Sequence, residues 1–126
     1  MKDLLIKDIC ARLPYGVVCE ISNEEAKIIE VLKPGGLFEF MSGTIDIKPY
    51  LRSLDDMTED EKDDFSDIIC NIIDSQEYLG AEFYNIEMAK EATTEIDWLI
   101  KHHFDFRGLI GLDLAIRVTP ENNPYK

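Results

Sequence analysis

Cysteine is scarce in this 126-residue chain, and the three present, Cys10, Cys19 and Cys70, are an odd number at wide spacing. They form neither a disulfide framework nor a zinc knuckle, and reduced thiols in a cytoplasmic protein are the plain reading. Basic residues are scarce too: 13 Lys and Arg stand against 26 Asp and Glu, for a net charge of −13. Such a chain is a poor candidate for gripping nucleic acid through phosphates or for lying on an anionic membrane, so neither is expected as a direct partner. No apolar run approaches the roughly 18 residues needed to cross a bilayer, and the charged N-terminus carries no signal-peptide h-region. Also missing are a Gly-x-Ser-x-Gly elbow, a phosphate-cradling glycine loop, a dinucleotide fingerprint and a zinc quartet. No cofactor, metal or catalytic residue is therefore assigned. What is present, 45% apolar and 31% charged residues, is ordinary globular composition of a size for one domain over 1–126.

The apolar spacing predicts four blocks. Over about residues 3–13, Leu5, Ile6, Ile9 and Leu13 share a helical stripe with Cys10 at its margin, while Lys7, Asp8 and Ala11 face away. Pro14-Tyr15-Gly16 ends that helix. Residues 16–48 read as strands: Val17, Cys19 and Ile21 alternate with Val18, Glu20 and Ser22. Ala26–Leu32 fits a strand, although Ser22-x-x-Glu25 is also compatible with a helix cap. Lys33-Pro34-Gly35-Gly36 reads as a turn, Leu37–Met41 as extended and Thr44–Lys48 as a strand, together an antiparallel meander.

After a loop beginning at Pro49-Tyr50-Leu51, Thr58 and Glu61 form a capping box, and Phe65, Ile68, Ile69, Ile72 and Ile73 give the clearest helical stripe. A last helix ends near His103, with Ala89, Ala92, Ile96, Ile100 and His103 on one face and Leu99 at its edge. The 114–116 segment can close the sheet, and 119–126 reads as a frayed polar tail. The expectation is an α+β fold: an N-terminal helix, a small antiparallel sheet of three to four strands, and two principal C-terminal helices packed on one face.

Three sets of residues carry a resemblance. They are Ala11-Arg12-Leu13-Pro14-Tyr15-Gly16-Val17; Ile47–Leu54 followed by Met57–Lys62; and Asp97-Trp98-Leu99 with His102–Ile110 and Gly111–Ile116. In this order the chain resembles a family of small proteins of gut Bacteroidales bacteria and their phages or mobile elements. The resemblance implies a genomic setting. It brings no activity and no catalytic residue with it.

Candidate chemistry is read from the residues themselves. Glu59, Asp60, Asp63, Asp64 and Asp67 gather opposite the isoleucine stripe, and Asp74 continues the ridge. Such a ridge can dock a basic protein or mimic DNA phosphates; the bland alternative is a solvated face. It lacks the glycine turn and ligand spacing of a calcium loop. Trp98 projects away from the apolar stripe near His102, either in the core or as a surface anchor. His102 and His103 are adjacent, a poor metal spacing, and a role in ending the helix competes with a weak candidate site of His102, His103, Asp105 and Arg107. Cys70 sits among acids that disfavour its thiolate, and Cys10 and Cys19 read as core hydrophobes. The leading expectation is a non-enzymatic cytoplasmic accessory protein acting through protein contacts. An enzyme around the His-Asp-Arg cluster and a DNA-mimic inhibitor are the alternatives.

Overall fold

Helix α1 (Lys2–Arg12) opens the chain, which in this computed structural model is described over residues 2–67 and 95–125. Leu5 and Ile9 turn inward as the stripe requires, and a single 3₁₀ turn, Leu13–Tyr15, follows at Pro14. Gly16 then adopts a left-handed φ of 71°, which reverses the chain at little steric cost. Two expectations for this helix fail. Asp8 is fully buried rather than facing away, and Cys10 is exposed rather than in the core. Asp8 and Arg12, one turn apart, pair with each other and enter the interior together.

The sheet has the order β2-β1-β3-β4, from β1 (Val18–Ser22), β2 (Lys27–Val31), β3 (Asp46–Leu51) and β4 (Ile116–Arg117). β1 pairs antiparallel with β2 and β3, but β4 lies parallel to β3, so the sheet is mixed rather than a pure antiparallel meander. The long chain between Leu51 and Ile116 supplies the crossover that a parallel pair needs. Ala26–Leu32 contains strand β2. The Asn23 side chain accepts the N–H groups of Glu25 and Ala26 at 2.9 and 2.8 Å, closing a hairpin where a helix cap was the alternative. Pro49, Tyr50 and Leu51 belong to β3, not to the loop after it.

The largest correction is α2 (Pro34–Met41), a helix where a turn and an extended segment were expected. Pro34 occupies the first turn, where its missing N–H costs nothing. Leu37 and Phe40, three apart, pack on the core beside Leu32, and Gly36 lies so close that a Cβ would sit 2.8 Å from the Leu32 side chain. Tertiary packing on one helical face thus overrides the aromatic preference for strands.

Val17, Cys19, Ile47 and Leu51 form the inner face of the sheet against α1, α2 and the 109–115 turn. Val18, Tyr50 and Val118 pack on the other face. Residues 119–125 are not frayed. The Tyr125 hydroxyl accepts the Val18 N–H at 3.1 Å and donates to the Tyr50 carbonyl at 2.6 Å. It stands where the next β1–β3 ladder bond would fall, so a side chain extends the sheet.

Residues 59–67 are helical, and the capping box forms as read, with the Glu61 N–H donating to Thr58 Oγ1 and the Thr58 N–H to Glu61 Oε1. Phe65 is half-buried; Ile68, Ile69, Ile72, Ile73, Cys70, Asp74, Ala89 and Ala92 lie outside the described residues. The last helix is described over 95–101, with Leu99 and Ile100 buried but Ile96 exposed, so the apolar face is rotated from the expected stripe. The architecture is α+β, with α1 and α2 covering the inner face.

Candidate functional site

Each of the three motif-bearing segments contributes to a polar junction between α1 and the 102–110 segment. Arg12 donates from Nε to Asp8 Oδ2 at 2.7 Å and from Nη2 to the Phe104 carbonyl at 2.7 Å. Arg107 Nε adds a bond to Asp8 Oδ1 at 3.0 Å, so both carboxylate oxygens of a fully enclosed Asp8 are occupied. The Phe106 ring lies beneath both guanidinium groups, 5.5 Å from that of Arg12 and 4.8 Å from that of Arg107. The sequence reading missed Arg12. Its i, i+4 spacing from Asp8 was the available signal.

In the candidate cluster of His102, His103, Asp105 and Arg107, the two charged side chains are engaged with separate partners. Asp105 is buried, and its two oxygens accept the backbone N–H groups of Leu109 and Ile110 at 3.0 and 2.9 Å, capping the turn that follows. Arg107 is directed to Asp8. His103 has a left-handed φ of 65° and closes the helix: its N–H reaches the Ile100 carbonyl and the Phe104 N–H reaches that of Leu99. Its ring stacks on Tyr125 at 3.8 Å. Burial, helped by the charges of Arg12 and Arg52, lowers the His103 pKa to about 4. It therefore ends the helix by its backbone shape and not as a cation.

Arg52, also missed, joins the second and third motifs. It forms a two-pronged ion pair with Glu61, and its guanidinium lies 4.2 Å from the Phe104 ring centre. Hydrogen bonds from Arg52 hold the Glu61 carboxyl down at a pKa of about 2, with the Thr58 N–H assisting. Trp98 is half-buried and packs against Phe65, His102 and Phe104, with ring centres 5.4, 4.4 and 5.8 Å away. These rings bridge the two C-terminal helical segments, and the half-buried His102 is one of them.

Glu59, Asp60, Asp63, Asp64 and Asp67 are all exposed. Of these five, only Glu59 has an ion-pair partner among the described residues, Lys62. Asp74 lies outside the described residues. Burial pushes the Cys19 thiol up to about 12, which leaves it unreactive. Among the described residues, no three His, Cys, Asp or Glu side chains are placed to hold a metal ion, and no helix is long and apolar enough to cross a membrane. Among the described residues, a cavity of about 650 Å³ is lined by Arg52, Asp56 and Arg117, and one of about 460 Å³ lies between Lys2, Phe40 and Asp113. No family model, curated protein or solved structure matches the chain.

Proposed function

We propose that the chain is a non-enzymatic accessory protein of phage or mobile-element type that works in the cytoplasm through protein contacts. The observation that carries this reading is the row of exposed carboxylates on helical residues 59–67, whose opposite side is anchored by Phe65 against Trp98. Anchored this way, the row faces outward as a fixed negative surface suited to a basic protein. The polar groups that an enzyme would use, Asp105, Arg107 and Asp8, are instead committed to backbone amides and to one another. A cytoplasmic setting suits the free thiols of Cys10 and Cys19.

The test is capture of binding proteins from the native host by the immobilised full chain, compared with the Asp60→Asn, Asp63→Asn, Asp64→Asn, Asp67→Asn quadruple variant. The reading expects a basic partner that is retained by the wild type, lost from the variant and released by salt. Equal retention by both chains removes the acidic surface from the proposal.

A further inference from the structure

The β1–β2 register decides which backbone groups of β2 face outward. Hydrogen bonds from Asn23 N–H to Ala26 and from Leu32 N–H to Val17, both 2.9 Å, mark the bonded pairs at the two ends of the hairpin. By antiparallel alternation, Ile28 and Glu30 direct their N–H and C=O groups to β1, while Lys27, Ile29 and Val31 direct theirs to the open edge. Among the described residues β2 is the last strand in the sheet order, and all five of its residues are exposed. Ile28, Ile29 and Val31 are each about half exposed, at 49%, 55% and 49%. Edges that stay single usually carry a bulge, a proline or projecting lysines. Here the strand's one lysine, Lys27, is turned to Glu20 at 3.2 Å.

We propose that this edge pairs with the same edge of a second copy of the chain, antiparallel about a two-fold axis at Ile29. An axis perpendicular to the sheet keeps every side chain on its own face, so only registers centred on a residue are allowed. Centring on Ile29 sets Lys27 opposite Val31, and each outward N–H then meets an outward C=O at three consecutive bonded positions. The same register brings the hairpin turn that carries Glu25 of one copy towards Lys33 of the other, twice by symmetry. Both residues are exposed. Centring on Glu30 instead sets Glu30 against Glu30 and Lys27 against Lys33, like charges in both cases. Centring on Ile28 loses the approach of Glu25 to Lys33 and one bonded position. Charge and hydrogen-bond pattern thus select one self-complementary register, and the surface is separate from the carboxylates of residues 59–67.

Sedimentation of the full chain over a concentration series tests the pairing. The wild type is expected to be a dimer, and Ile29→Lys, which opposes two ammonium groups at the axis, a folded monomer with an unchanged far-ultraviolet spectrum. Glu25→Lys and Lys33→Glu lie in connecting segments and carry the test independently of that variant. Each alone is expected to weaken dimerisation by about tenfold, and the two together to restore most of it. A wild type that stays monomeric at every concentration overturns the pairing, as does a double variant no better than the singles. Neither result bears on the acid-dependent capture described above, so the two readings fail separately.

Discussion

At the junction of α1 with the 104–107 segment, the charged side chains of Asp8 and Arg12 are wholly enclosed, whereas on β2 and α2 the apolar side chains of Ile29 and Phe38 are 55% and 72% exposed. The usual sorting by residue type is inverted in both places, for opposite reasons. The buried charges are tolerated because Arg12 and Arg107 together occupy both oxygens of Asp8 and the Phe104 carbonyl accepts from Arg12 Nη2, although Arg12 Nη1 is buried without a partner among the described residues. The exposed apolar groups are tolerated because nothing in the described fold reaches them. The first region holds the architecture together, and the second is free to meet another chain.

Breaking the enclosed junction is expected to have the largest effect. Asp8→Ala leaves the Arg12 guanidinium buried without its carboxylate, and denaturant unfolding should show a loss of about 3–5 kcal/mol. A loss below about 1 kcal/mol would mean that the pair does not organise the fold. Tyr125→Phe should come next. It strands the Val18 N–H and the Tyr50 carbonyl between two strands, for an expected loss of about 1–3 kcal/mol by the same measurement.

A pH series sharpens the comparison further. The folded His103 pKa, near 4, lies below its ordinary value of 6.5, so the unfolded chain binds the proton first and stability falls as pH drops from 6.5 towards 4. The folded Glu61 pKa, about 2 against 4.5, makes its contribution complete above 4.5 and lost as pH falls towards 2. His103→Asn, which tolerates the left-handed backbone, should flatten the upper window and leave the lower one unchanged. A variant curve parallel to the wild type through pH 6.5–4 would show that His103 titrates normally in the fold. The smallest effect belongs to the open region. Phe38→Ser should change stability by less than about 0.5 kcal/mol, because the side chain is 72% exposed.

The elements that could be read directly are those whose signals are local. The alternation of Val17, Cys19 and Ile21, the capping box of Thr58 and Glu61, and the stop at Pro14 each depend on neighbours within a few residues. The candidate-site residues were legible as types but not in their partners. Asp105 and Arg107 were singled out together, yet one caps a turn and the other crosses to Asp8. Leu37–Met41 misled because its aromatic content favours a strand, while its packing partner, the core beside Leu32, is visible only in three dimensions.

Composition and spacing alone determined the α+β class, the strongly negative charge, the first helix, the β1 strand and the acidic turn after Thr58, since each follows from short-range sterics, hydrogen bonding or net charge. Only the tertiary structure decided that Asp8 goes inward, that β4 runs parallel, that Tyr125 stitches β1 to β3 and that β2 is the edge strand among the described residues. These depend on which distant segments meet, and burial of a charge or exposure of an isoleucine is settled by what the rest of the chain brings to it.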